Sequence, residues 1–207
     1  MGTYDPNAWQ GVPGFANSFD RYGWVDYRQH IIDWSLALKP APASILDVGC
    51  CQGQYLQRLR EQGFAGQLVG VDVTQQCVDA AVAAGLDVRR ADCRSLPFVD
   101  KEFDTVLFLN VLMHLPEPRA PLAEACRVAG RHMILSCYGS PDVVRSRNTR
   151  KFLNTFYPKQ AVLDAMPPGW KLADFAEFIN PFGDPVFQYR FVRDIRRRRA
   201  AKPAEVR

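Results

Sequence analysis

No apolar run in this sequence approaches the ~20 residues needed to cross a bilayer, and no membrane span is expected. The first sixteen residues have neither a basic start nor an apolar centre, so they do not read as a secretory signal. A cytoplasmic location is the resulting expectation. No C-x-x-C pair occurs among the six cysteines, Cys50, Cys51, Cys77, Cys93, Cys126 and Cys137, and the three histidines do not gather beside them. That pattern argues against a structural zinc site, and the thiols are expected to be reduced and mostly buried. The body of the chain also lacks positive charge. Residues 193–207 hold seven basic and two acidic residues, a net of +5 against +4 for the whole, which leaves −1 for residues 1–192. A body without net positive charge has little to hold phosphates, which makes nucleic acid an unfavoured partner.

What remains is a chain of 207 residues with 47% hydrophobic and 23% charged residues, the balance of one soluble globular domain. From Ser44 onward, short apolar runs alternate with helical stretches, the pattern of βαβ units around a parallel sheet. Strands are expected at residues 44–48, 67–71, 87–91, 105–110 and 132–137. Helices are expected at 54–62, 74–84, 122–129 and 158–166. Residues 142–156 mix charge and aromatics without a clear period. Two further strands, 171–179 and 186–194, flank a turn with Pro, Gly and Asp, which suggests a hairpin.

The two ends differ from the body. Residues 1–34 contain eight of the 24 aromatic side chains: Tyr4, Trp9, Phe15, Phe19, Tyr22, Trp24, Tyr27 and Trp34. Residues 24–38 can form an amphipathic helix. Residues 1–40 are therefore expected to form an aromatic helical lid, residues 41–195 the main domain, and residues 196–207 a basic flexible tail.

The chemistry concentrates in Ile45-Leu46-Asp47-Val48-Gly49-Cys50-Cys51-Gln52-Gly53. An apolar strand ends in an acid, and a glycine-bearing turn opens a helix. Glycine admits positive φ and close approach of a ligand. The helix N-terminus presents amides and partial positive charge suited to a carboxylate. A dinucleotide fingerprint would need glycine at positions 49, 51 and 54, but 51 is Cys and 54 is Gln. A second acid, Asp72, ends strand two 19 residues beyond Gly53, where a carboxylate can accept both hydroxyls of a ribose. A third, Asp92, follows strand three. Strand four runs into Asn110-Val111-Leu112-Met113-His114-Leu115.

The spacing Asp47-x-Gly49-x-Cys51-x-Gly53 resembles the D-x-G-x-G-x-G motif of class I S-adenosylmethionine (SAM)-dependent methyltransferases, departing from it at Cys51. The resemblance covers residues 44–137 by motif and the rest by architecture. It implies an α/β, three-layer Rossmann-like fold with a mostly parallel seven-stranded sheet and a C-terminal antiparallel hairpin. It implies SAM as methyl donor, with Asp47, Gly49, Cys50, Gly53 and Val73 among the donor-binding residues and Asp72 at the ribose. Asp92 and the Cys93 amide would meet the adenine, and Asn110 the methionine part. His114 is the candidate general base, should the acceptor keep its proton until late. Metal-using quinone O-methyltransferases look to carry an acid just before this histidine; here it is Met113, so no catalytic metal is expected. Neither an Asn/Asp-Pro-Pro-aromatic motif nor a Pro-Cys pair is present to mark nucleic-acid methylation. The expected function is methyl transfer to a small organic acceptor, a metabolite or natural product, with a homodimer as the assembly considered. The competing readings are an RNA or protein methyltransferase that uses Arg196–Arg199, and a non-catalytic SAM-binding protein.

Overall fold

The computed structural model describes residues 24–147 and 153–194. Helix α1 (Asp26–Ala37) leads into β1 (Ser44–Val48), α2 (Gln54–Glu61), β2 (Gln67–Asp72), α3 (Gln75–Ala83) and β3 (Val88–Arg90). Then follow β4 (Phe103–Leu109), a short 3-10 turn (Leu112–His114), α4 (Arg119–Val128) and β5 (Ala129–Tyr138). A small hairpin, β6 (Val144–Arg147) and β7 (Leu153–Phe156), precedes α5 (Lys159–Ala165), β8 (Trp170–Ile179) and β9 (Pro185–Arg193).

Seven strands form one sheet in the order β3-β2-β1-β4-β5-β9-β8. The first five run parallel, and β9 lies antiparallel between β5 and β8. This is the mostly parallel sheet with a C-terminal antiparallel hairpin that the sequence leads one to expect. The strand order reverses between β1 and β4, which opens a crevice at the carboxyl ends of those strands, where open α/β sheets bind ligands.

Alternation along each strand divides the core. Leu46, Val48, Val106, Phe108, Met133 and Leu135 point to a face covered by α4 and α5, together with Leu122, Ala125, Val162 and Ala165. Ile45, Leu107, Leu109 and Ile134 point to the opposite face, where Ile31 and Ile32 of α1 meet Tyr55 and Leu59 of α2. A smaller cluster of Leu56, Val78, Ala81 and Val88 seats α3 beside β3. Buried apolar area on both faces makes a three-layer sandwich and fixes strand register, because a one-residue slip would turn every core side chain to the wrong face.

Helix α1 packs flat on the sheet. Gln188 of β9 donates to the Tyr27 carbonyl at 2.5 Å and meets His30 Nδ1 at 2.7 Å. The lid expected over residues 1–40 falls mostly on residues 1–23, outside the described residues, as does the basic tail at 196–207. Three differences from the sequence reading have physical causes. Helix α4 starts at Arg119 rather than 122, because Pro121 sits in its first turn, where a missing N–H costs nothing. The Glu117 carboxylate accepts the Arg119 and Ala120 amides at 2.7 and 3.1 Å and caps that turn. Strand β5 begins at Ala129, directly at the end of α4. The β6–β7 hairpin was not anticipated, since its Val143 and Val144 are exposed and give no alternating pattern.

Candidate active site

The turn after β1 is held by backbone. The Gly49 and Cys50 amides both donate to the Val71 carbonyl, at 2.7 and 3.0 Å, so the turn folds back over the end of β2. Gly49 and Gly53 have φ of +76° and +79°. A Cβ at Gly49 would overlap the Val111 side chain, so the turn presses directly on the loop after β4. Cys51, at the motif's middle position, also adopts a left-handed φ of +51°. The fold thus keeps the backbone shape that favours glycine and accepts a strain of about 1–2 kcal/mol to place a side chain there. The departure at Cys51 is therefore conformationally absorbed.

Asp72 ends β2 with each carboxylate oxygen bound to a backbone amide. Oδ2 accepts from Cys51 N and Oδ1 from Thr74 N, both at 2.8 Å. These bonds orient both oxygens and leave each one further lone pair, the arrangement a vicinal diol requires. Burial still raises the Asp72 pKa against the pull of those amides. Thr74 was missed in the sequence reading, although an amide two residues beyond an Asp is a common partner for its side chain.

Asp47 lies one strand over, fully buried, and its Oδ2 has no hydrogen-bond partner. Desolvation, with the neighbouring Asp72 charge, pushes its pKa up to about 8. A buried acid with an unpaired oxygen is costly unless a cationic or donor group completes it. Tyr55, in the first turn of α2, feels both the Asp47 carboxylate and the Arg28 guanidinium, and its pKa is raised mainly by burial. Arg28 itself is buried and donates to the Tyr27 hydroxyl at 3.1 Å. Neither Tyr55 nor Arg28 was singled out from the sequence; α1 had shown only its amphipathic spacing.

Past β3, an open cleft of about 330 Å³ is lined by Val73, Arg90, Ala91 and Asp92. The Val73 carbonyl accepts from Arg90 Nε at 3.1 Å. Asp92 is engaged by its neighbour: Arg94 contributes its amide at 2.9 Å and its guanidinium at 2.6 Å. Burial opposes these bonds, but together they hold the Asp92 pKa low. Cys93 is buried, and burial raises its thiol to about 12, so it is an inert thiol beside this cleft.

Asn110 follows β4 with φ of +56°, which asparagine tolerates better than most residues. Its Oδ1 accepts from Ser136 Oγ at 3.1 Å, and its amide donates to the Ser136 carbonyl at 2.9 Å. His114 closes the 3-10 turn, half-buried, at the rim beyond Asn110. Tyr138 ends β5 and stacks on Phe156 with centroids 5.1 Å apart. The Tyr157 hydroxyl donates to the Leu115 carbonyl at 3.3 Å, and an Arg145 guanidinium nitrogen to the Pro116 carbonyl at 3.1 Å. The β6–β7 insertion thereby packs on the turn that carries His114. Among the described residues, no group of three or more His, Cys, Asp or Glu could hold a metal ion. Among them too, no helix is long and apolar enough to cross a membrane.

Asp47, Gly49, Cys50, Gly53, Asp72, Val73, Asp92, Cys93 and Asn110 thus fall along one edge, at or just beyond the carboxyl ends of β1 to β4, with His114 after them. Residues 46–135 match the family described as methyltransferase domain. By this match and the sheet order, the chain is similar over residues 46–135 to the methyltransferase domain, on a Rossmann-like fold. It is 30% identical over 149 residues to a ubiquinone biosynthesis O-methyltransferase of Hahella chejuensis, a span of 66% of this chain and 57% of the relative. Its fold is similar to a solved 1,6-didemethyltoxoflavin-N1-methyltransferase of Burkholderia thailandensis with 1,6-didemethyltoxoflavin and S-adenosylhomocysteine bound. The TM-score there is 0.68 at 19% identity, covering 86% of this chain and 85% of that one. A SAM-dependent methyltransferase of Aquifex aeolicus gives 0.62 at 20% identity, covering 92% and 99%. The chain spans between 18% and 64% of the length of the first curated relatives it matches.

Proposed function

We propose that this protein transfers a methyl group from SAM to a small organic acceptor. The observation that carries the reading is the pair of buried carboxylates on adjacent strands: Asp47 with an unpartnered oxygen, and Asp72 held open by two amides. SAM fits the pair, since it offers an ammonium and a ribose diol. When bound, it supplies a methyl on a sulfonium, already activated because a neutral thioether leaves. Asp72 orients the ribose. Asp47 takes the ammonium and becomes ionised in doing so, while the buried Arg28 guanidinium answers the amino acid's carboxylate. Val73, Asp92 and Cys93 border the adenine cleft, and Asn110 with the Gly49–Gly53 turn holds the methionine part. The chain's main contribution is positioning. His114, at the rim of the same edge, is the group to take an acceptor proton.

The acceptor side favours an organic molecule over a polyanion. Tyr138 and Phe156 stack there as an aromatic wall, and residues 1–192 carry no net positive charge to hold a polyanion. The relatives' acceptors, in ubiquinone biosynthesis and toxoflavin methylation, support the same size class. Calorimetry of the reduced full chain with S-adenosylhomocysteine tests the reading. Saturable binding is expected, and no heat at millimolar ligand would sink it.

A further inference from the structure

Three of the six cysteines gather at the donor turn, and two of them touch. Cys51 Sγ lies 3.2 Å from Cys77 Sγ, and both side chains are only half-buried. Cys50, Cys93, Cys126 and Cys137 are buried, the last two in the core behind the sheet. The touching pair joins the two segments that clamp Asp72: the Cys51 amide binds Oδ2, and Cys77 stands in the first turn of α3, just past Thr74, whose amide binds Oδ1. We infer that Cys51 and Cys77 are a reversible oxidation site, closing to a disulfide across Asp72 and weakening donor binding.

Cys77 is the attacking thiol. A hydrogen bond from the Cys51 thiol, opposed by desolvation, lowers its pKa, and its place in the first turn of a nine-residue helix favours a thiolate. The same hydrogen bond, with burial, raises Cys51, which keeps its proton. With hydrogen peroxide as oxidant, the Cys77 thiolate attacks one peroxide oxygen, the O–O bond breaks, and hydroxide leaves a sulfenic acid. Cys51 sulfur then attacks the Cys77 sulfur; the S–O bond breaks and water leaves with the Cys51 proton. In sum, two thiols and one peroxide give one disulfide and two waters. An S–S bond is about 2.0 Å long, so the sulfurs must approach by more than 1 Å. That movement draws the glycine turn and the start of α3 together over the carboxylate that a ribose must reach.

The test uses the full chain, treated with hydrogen peroxide and digested with trypsin without reduction. The expected product links the peptide of residues 29–58 to that of residues 61–89 with loss of two hydrogens. Cys51→Gly should abolish the link while relieving the positive φ at that position. Cys77→Ser should abolish it too and keep S-adenosylhomocysteine affinity the same before and after peroxide. In the unmodified chain, oxidation should weaken that affinity about tenfold, with dithiothreitol restoring it. Persistence of the link in Cys51→Gly, oxidation of Cys77 without a link, or a link with unchanged affinity would each overturn the inference. The affinity arm rests on the proposed donor site, whereas peptide mapping does not. A reduced chain that binds no S-adenosylhomocysteine overturns the donor reading and leaves the mapped disulfide standing.

Discussion

At the ends of β1, β2 and β3 the protein grips with backbone; at the ends of β4 and β5 it encloses with side chains. On the first side, amides of Gly49, Cys50, Cys51 and Thr74 fix the turn and orient Asp72. On the second, Tyr138, Phe156, Tyr157 and the turn at Leu112–His114 pack through rings and a few polar contacts. Backbone grips depend on φ values and a few obligatory residue types, so they suit a ligand that never changes. Side-chain walls can be altered one residue at a time without disturbing the sheet, so they suit a partner that differs among relatives. On the proposed function, the grip side would serve any acceptor and the wall side would select one.

Three substitutions and one truncation would break or sharpen that contrast. The largest effect should come from Asp72→Ala, which would remove the two charge-assisted hydrogen bonds proposed for the ribose, each worth ~1.5–3 kcal/mol. Donor affinity should fall at least about a hundredfold by calorimetry; a change within threefold would move the grip elsewhere. Asp47→Asn comes next and should act in opposite directions on binding and stability. Folding raises the Asp47 pKa from 3.8 to about 8, so the folded state retains a proton that the unfolded chain has lost across that window. The group's contribution is therefore complete below its unfolded pKa and is lost as pH rises through its folded value. Urea unfolding of the donor-free protein should show stability declining between ~pH 4 and ~pH 8 and level above, and Asp47→Asn should flatten the decline by on the order of a few kcal/mol. The same variant should bind S-adenosylhomocysteine about tenfold more weakly. Equal pH slopes in the two proteins would remove the unpaired acid from the account.

Tyr157→Phe probes the wall. Loss of its bond to the Leu115 carbonyl should lower stability by about 1 kcal/mol and leave donor affinity unchanged. A large loss of donor binding would show that the two halves are not separable. Deleting residues 196–207 should do least, changing stability by under ~0.5 kcal/mol and turnover not at all. Turnover lost with the tail would favour an RNA or protein acceptor.

The same contrast decides what could be read without a structure. Strands β1, β2, β4 and β5 were legible because each carries a short apolar run closed by Gly, Asp or Asn, whereas β3, Val-Arg-Arg, was marked mainly by its place between α3 and Asp92. The candidate donor edge stood out in the sequence because close approach needs glycine and a ribose site needs an acid, whichever protein supplies them. Thr74 and Val111 escaped because one acts through its amide and the other through its volume, neither of which marks residue type. Arg28 escaped because burial, rather than position in a motif, makes it notable. The β6–β7 hairpin escaped because its strands are short and partly exposed. The contact between Cys51 and Cys77 joins residues 26 positions apart, a proximity set by tertiary structure alone.

The contact between Gly49 and Val111 carries a kinetic consequence. The glycine turn and the loop after β4 are in van der Waals contact with no room for one more methyl. On the proposed donor site, a donor that seats the turn would also seat Val111, and through it the segment ending in His114. The donor should add first and its demethylated form leave last, so product inhibition by S-adenosylhomocysteine should be competitive with the donor and noncompetitive with the acceptor.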